Sequence, residues 1–586
     1  MVSKLVTSRS ISRSGLLISA CVGWGCGSSA PPPSAASSRA PSQPDPGFAI
    51  PTGAIDPGAD LVLFDADVHT MDASRPRAQA IAIAGGKIVA LGSSSEVQRF
   101  VGPGTQTLNL AGATVTPGLI DAHCHLYGLG VDLDSVSVRG KATEEATVAV
   151  VADAAKTRPA TEWLVGRGWD QTRWPEQKFP TKATLDAAIS DRPVILRRVD
   201  GHAIWVNSKA LAAAGITKKT KDPAGGKILR DGKGEPTGVL IDNAVDLVDA
   251  KVPAATAEVR ERRIRTAAQV AIQAGITAVH EMGIEDATAD VYGRLAKSGQ
   301  LPLRVYAFLA GDPSPKGLER LATKPAAPIG NFTMRGVKFF ADGALGSRGA
   351  RLYKPYDDDK KNLGLWVTEP AQLATAIDTA VANGWQVAIH AIGDAGVGAV
   401  LDGYVAATKK HAGDLRLRVE HTQVIALDDI AKMIESHAIA SMQPTHATSD
   451  MRWAEARIGK QRILGAYAWR TMLDKKIPLA AGSDFPVEEV SPILGIYAAV
   501  TRQDAEGKPD GGWYPAQKLT LDEAIAAFTS GAAFAEGAEA TRGVIAVGRV
   551  ADVTVFDRAL AADKSLLTTG ARLTIVGGQI VYRNQK

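Results

Sequence analysis

Cysteine is nearly absent: the 586-residue chain holds three, Cys21, Cys26 and Cys124. Two fall near the N-terminus and the third stands alone, so neither a disulfide framework nor a zinc knuckle can be built. Excess charge of one sign is also missing. Sixty-six basic residues against 62 acidic ones leave a net charge of +4. No basic stripe or aromatic–arginine repeat marks a nucleic-acid surface. The one N-terminal apolar stretch is too short to span a bilayer in the mature protein. No segment recurs at the periods of solenoids or propellers. What remains, 45% hydrophobic and 22% charged, is an ordinary globular composition. The length exceeds one compact core and implies two or three structural units.

Residues 1–27 have the form of an export signal. Lys4, Arg9 and Arg13 supply a positive start, and an apolar core runs from Gly15 towards Gly25. Ile18-Ser19-Ala20-Cys21 resembles a bacterial lipobox, which would put a lipid on Cys21; Cys26 is the competing site, and a plain secretory signal the alternative. Residues 28–50, rich in Ser, Ala and Pro, read as a tether. The expected location is the cell envelope, with membrane attachment only through that lipid, or else the secreted fraction.

Residues 51–115 and 540–586 carry short apolar or alternating runs such as Leu61-Val-Leu-Phe64, Ala80-Ile-Ala-Ile-Ala84 and Val553-Thr-Val-Phe556, punctuated by Gly-Gly pairs. Neither end suffices for a sheet with its own core. Together they predict one small β-sandwich built from both chain ends. Between them, over 116–539, apolar runs alternate with helical patterns. The runs are 116–125, 276–281, 303–309, 336–340, 386–390, 418–421, 438–443 and 478–483. Eight βα units predict an α/β fold, a (β/α)₈ barrel of the TIM type. The span is too long for eight units alone. The surplus lies mostly at 131–255, an insertion after the first strand read as a lid or substrate subdomain.

Barrel active sites sit at the C-terminal ends of the strands. Here the first run ends in Asp121-Ala-His123-Cys-His125, the fourth contains Lys338, the fifth ends in His390, the sixth in His421 and the eighth in Ser483-Asp484. Each has a plain structural reading: a hydrogen-bonded histidine, a snorkelling lysine, a helix-capping aspartate. Five strand ends of eight carrying such residues, in the order His-x-His, Lys, His, His, Asp, point to a metal site, because neutral imidazole is the commonest metal ligand.

The phrases PGLIDAHCH (117–125), DGHAIWVNSKAL (200–211), VKFFADGALGSRGA (337–350), AIHAIGDAG (388–396), VEHTQ (419–423) and AGSDFPVE (481–488) resemble the amidohydrolase superfamily, in particular the amidohydrolase-3 branch with its N-substituted formamide deformylases and YtcJ-like proteins. The resemblance implies that His123 and His125 hold one divalent metal, with Asp484 beside it. It implies that His390 and His421 hold a second, and that Lys338, carbamylated by CO₂, bridges both if the site is binuclear. Zn²⁺ suits such mixed N and O ligands. The implied reaction is hydrolysis of a small-molecule amide, an N-substituted formamide or N-acyl amine. A metal-activated water attacks and Asp484 serves as general base. Cyclic-amide, carbamate or ester hydrolysis on the same site is the alternative within enzymes, and a non-catalytic surface binding lipoprotein the alternative outside them. Relatives of this kind form homodimers, but no feature of this sequence specifies one.

Other residues carry further expectations. His202 and Trp205 reach over the site from the insertion. His280 and Glu281, ending the second run, line the pocket or support it. Arg348 and Arg351 grip a substrate carboxylate or cap a helix. Asp342 fixes the turn at Gly343, Trp169 and Trp174 are core of the insertion, and His446 lies at the rim. His69, His411 and His437 are surface or core polar residues.

Overall fold

The computed structural model describes residues 58–158 and 160–585. The export signal over 1–27, with Cys21 and Cys26, and the tether over 28–50 lie outside the described residues. Among the described residues no helix is long and apolar enough to cross a membrane.

All eight anticipated barrel strands form, and they pair in parallel in chain order: β1 (Leu119–Cys124), β2 (Ile276–Ile284), β3 (Arg304–Ala310), β4 (Phe332–Phe340), β5 (Gln386–Ala391), β6 (Arg418–His421), β7 (Ile439–Met442) and β8 (Leu479–Ala481). Most of their side chains are buried whichever way they point. A sheet lined by its own interior and covered outside by helices reads in sequence as continuous apolar runs for this reason. The seam between β8 and β1 carries no regular ladder. It is held by Asp121, whose carboxylate accepts from the Ser483 amide at 3.1 Å and the Ser483 hydroxyl at 2.6 Å. The Asp484 amide donates to the His123 carbonyl at 2.7 Å. Gly482 permits this closeness, since a Cβ there would stand 2.4 Å from the His123 nitrogen.

The first run differs from its expected form. It is two strands in two sheets, broken at Gly118: Thr114–Pro117 pairs with Val553–Phe556, and β1 follows in the barrel. A Cβ on Gly118 would meet Thr277 Oγ1 at 2.2 Å, so the chain passes between sheets only without a side chain there. The sheet holding Thr114–Pro117 has six strands, three of them from the C-terminal end (Val553–Phe556, Ala571–Val576, Gln579–Arg583). A four-stranded sheet from 61–109 packs with it around Leu63, Ile81, Ile83, Val115, Val555 and Ile575. Both chain ends thus share one core.

Between β1 and β2 the chain builds a separate six-stranded mixed sheet. Its strand Ala203–Val206 shows the period-2 rule: Ala203 and Trp205 join the cluster with Trp169 and Trp174 on one face, whereas Ile204 and Val206 join Ile195 and Leu240 on the other. The chain returns to the barrel through a helix, Ala257–Gln273, capped by the Thr256 side chain, which accepts from the Val259 amide.

Candidate metal centre

The C-terminal ends of the strands surround a cavity of about 180 Å³. His123, His125, Lys338, His390, His421 and Asp484 all line it, brought together from β1, β4, β5, β6 and the turn after β8. His421 and Asp484 have φ of 73° and 60°. For residues other than glycine this left-handed backbone costs on the order of 1–3 kcal/mol and persists only where the surroundings enforce it.

Hydrogen bonds fix which nitrogen of each imidazole faces the centre. Nδ1 of His123 lies 2.5 Å from Glu420 Oε2. A carboxylate only accepts, so Nδ1 carries the proton and Nε2 keeps its lone pair. Nδ1 of His125 donates to the Met282 carbonyl at 3.0 Å, with the same consequence. Nδ1 of His421 lies 2.8 Å from Gln443 Oε1, and the Gln443 amide is oriented by its Nε2 donating to the Ser441 carbonyl at 3.3 Å. All three rings therefore offer Nε2 as an acceptor. Burial lowers His123 to about 4, helped by Lys338, and holds His390 and His421 well below the usual imidazole range. Burial likewise lowers Lys338 to about 8. Its Nζ stands 3.4 Å from His123 Nε2 and over the Phe340 ring.

Asp484 decides what the centre holds. Its Oδ1 lies 3.5 Å from His123 Nε2 and 3.2 Å from His125 Nε2, yet it is buried and has no hydrogen-bond partner. Three electron-rich atoms thus face one another. Such an arrangement is repulsive unless a cation sits among them. A tetrahedral ion with bonds of about 2.1 Å separates its ligand atoms by about 3.4 Å, so these residues fit a divalent metal.

Several expectations are corrected. Glu281 does not face the cavity. It caps the helix that begins after His125, accepting from the Leu126 amide, the Tyr127 amide at 2.9 Å and the Tyr292 hydroxyl at 3.3 Å. Arg348 pairs with Asp358 at 3.0 Å, and Arg351 lies over Trp366 and donates to the Gly364 carbonyl. Neither lines the cavity, so a grip on a substrate carboxylate is not available to them. The Arg351 amide instead donates to Asp342, whose carboxylate also accepts from the Ile392 and Gly393 amides. Asp342 thus holds the loop after β5. His202 does reach the site: its ring lies 5.0 Å from that of His390, and its Nδ1 donates to Asp242 at 2.7 Å. His446, expected at the rim, lies deeper. Its Nε2 is buried, 3.7 Å from Asp484 Oδ2. Glu420, Gln443 and Arg452 belong to the site and carried no sequence expectation. Glu420 shares the inward face of β6 with Arg418, two residues earlier, and that alternation is the signal that marks it.

The family model described as the amidohydrolase family matches residues 106–582. The chain belongs to the amidohydrolase family. Among relatives of this amidohydrolase, YtcJ of Bacillus subtilis is 34% identical over 525 residues, covering 88% of this chain and 98% of that protein. The N-substituted formamide deformylase of Arthrobacter pascens is 29% identical and covers 85% and 93%. A crystal structure titled as an uncharacterized metal-dependent hydrolase from Pyrococcus horikoshii superposes with a TM-score of 0.69 at 26% identity, covering 85% of this chain and 97% of that one. Family, barrel and site agree: the protein is a metal-dependent hydrolase acting on carbon–nitrogen bonds.

Proposed function

We propose that this amidohydrolase cleaves the C–N amide bond of a small N-substituted formamide or N-acyl amine, with a zinc ion held by His123, His125 and Asp484. The observation that carries the reading is the unbonded Oδ1 of Asp484 facing two imidazole lone pairs at 3.2 and 3.5 Å. Similarity to a protein named N-substituted formamide deformylase supports the choice of a formyl group. A bound divalent cation supplies Lewis-acid chemistry, acidifying a water and polarising a carbonyl. The remaining work falls to the chain. Asp484, ionised at neutral pH, takes the proton of the attacking water and delivers it to the amine nitrogen, which leaves as the C–N bond breaks. Glu420, the Met282 carbonyl and Gln443 hold His123, His125 and His421 in the tautomer that leaves their lone pairs inward. His202 closes the cavity on the side of the inserted sheet. A second cation beside His390 and His421 would gain two anionic oxygens if Lys338 is carbamylated by CO₂, and burial favours the neutral amine from which a carbamate forms. The export signal and Cys21 support action in the cell envelope, on a lipid tether.

The test is Asp484→Asn assayed on a panel of N-formyl and longer N-acyl amines, with release of formate and amine measured together. Loss of about 10²–10⁴-fold in turnover with the fold intact is expected. Undiminished turnover removes Asp484 from the reaction, and release of longer acids without formate excludes the formamide class.

A further inference from the structure

We propose that Arg139, in the inserted subdomain, is a positioning residue for Asp484: it holds, from outside the barrel, the turn that carries this carboxylate into the centre. The inference rests on the role given to Asp484 above and adds a residue that acts through it.

Asp484 occupies a demanding place. Its φ of 60° is left-handed, and such a backbone persists only where the surroundings enforce it. The chain after it turns tightly, with the Val487 amide donating to the Asp484 carbonyl at 2.8 Å. The next carbonyl, that of Phe485, accepts from the His125 amide at 2.8 Å. Two carbonyls of the turn remain, those of Pro486 and Val487. Arg139 takes both: Nη1 donates to Val487 at 2.9 Å and Nη2 donates to Pro486. Every carbonyl from Asp484 to Val487 is thereby paired. The barrel supplies the first two partners and the inserted subdomain the last two.

Arg139 is itself firmly rooted. It follows the edge strand Val136–Ser137, which pairs in parallel with Leu164–Trp169. The Val138 amide continues that pairing by donating to the Arg167 carbonyl at 2.9 Å. Gly168, with φ of 109°, lies against Arg139, and a Cβ there would stand 2.8 Å from the Arg139 nitrogen. The side chain therefore starts from a fixed point on the inserted sheet. A planar guanidinium presents its N–H groups as a rigid fork that suits two adjacent acceptors, whereas a lysine ammonium is a single point. Arg139, Val487 and Asp484 all line the cavity, so the tie is made at the centre itself. Arg139 is only half-buried, which allows its replacement without opening a core.

The test uses the full chain with Arg139→Met and Arg139→Lys, each alone and Arg139→Met also combined with Asp484→Asn. Circular dichroism reports the fold. Zinc affinity is read by competition with a chromophoric chelator, and kcat and KM are read at saturating zinc. In Arg139→Met, kcat and zinc affinity should each fall by about 10–100-fold, the loss typical when the support of a metal-facing group is removed. KM should stay within about two-fold, since the substrate is not what Arg139 holds. Arg139→Lys should fall between Met and wild type. In the Asp484→Asn background, Arg139→Met should cost no further zinc affinity, because its effect passes through the missing carboxylate. Should Arg139→Met not fold, the same kcat, KM and affinity readings on Arg139→Lys decide. Wild-type kcat and affinity in a folded Arg139→Met overturn the inference. So does a rise in KM alone, which would make Arg139 a substrate contact, and so does an equal loss of affinity with and without Asp484. In all three cases a loss of turnover in Asp484→Asn leaves the proposed function standing. Undiminished turnover in Asp484→Asn overturns both.

Discussion

His123 Nδ1 and Glu420 Oε2 lie 2.5 Å apart, and neither side chain is exposed to solvent. The Glu420 carboxylate is itself clamped by Arg418, whose Nε donates to Oε1 at 2.7 Å and whose Nη2 donates to Oε2 at 3.2 Å. Burial works to raise Glu420, but Arg418 and His123 more than reverse it, so it stays anionic. A metal-facing imidazole anchored by a carboxylate has its ring orientation and basicity set from behind. Glu420→Gln should therefore weaken zinc binding by about 10–100-fold, measured by competition with a chromophoric chelator. Glu281→Gln, another buried carboxylate but one committed to a helix end, should leave zinc affinity within a few-fold while lowering the melting temperature. Equal affinities for Glu420→Gln and wild type would show that His123 needs no anchor.

The mouth of the cavity is spanned by Arg452, from the barrel, whose Nη2 donates to Asp170 Oδ2 at 2.8 Å and Thr172 Oγ1 at 3.1 Å in the inserted sheet's loop. Arg452 is partly exposed, and pairs of that kind contribute about 0–1 kcal/mol. Arg452→Ala should raise KM by about two- to five-fold with little change in kcat, measured by steady-state kinetics. A fall in kcat alone would place Arg452 in the chemistry.

Glu536 is buried between Arg542, at 2.8 Å, and His280, at 3.6 Å. Burial raises its carboxyl, but Arg542 and His280 outweigh this and bring it down to about 2 from the ordinary 4.5. A carboxyl depressed in the folded state contributes stability that is fully present above the unfolded value of 4.5 and lost as pH falls through about 2. Melting temperature measured from pH 6 to pH 2 should fall steeply below pH 4.5 in the wild type. Glu536→Gln should start lower, because it leaves Arg542 without its anion, and should fall less steeply over that window. Parallel curves would contradict the assignment.

Much of the barrel was legible because its strands are buried on both faces and so read as apolar runs, from Ile276–Ile284 through Leu479–Ala481. The centre's residues were legible where they close such runs, as His390 and His421 do. Gly118 was not legible as a break, since only the approach of Thr277 shows that one apolar run serves two sheets. Glu420 looked like an ordinary strand residue because its partner, His123, lies 297 residues away. Arg348 and Arg351 suggested anion binding because nothing local reveals that Asp358 and Trp366 occupy them. His446 was placed only at the rim because it stands on a helix turn beyond the end of β7, rather than on the strand itself.

The most direct test of the central claim is removal and return of metal. The purified chain, dialysed against a chelator until zinc-free, should lose amide hydrolysis while keeping its circular dichroism spectrum. Stoichiometric Zn²⁺ should restore turnover in the wild type, but not in His123→Ala or Asp484→Asn. Full turnover by the metal-free chain would contradict the account.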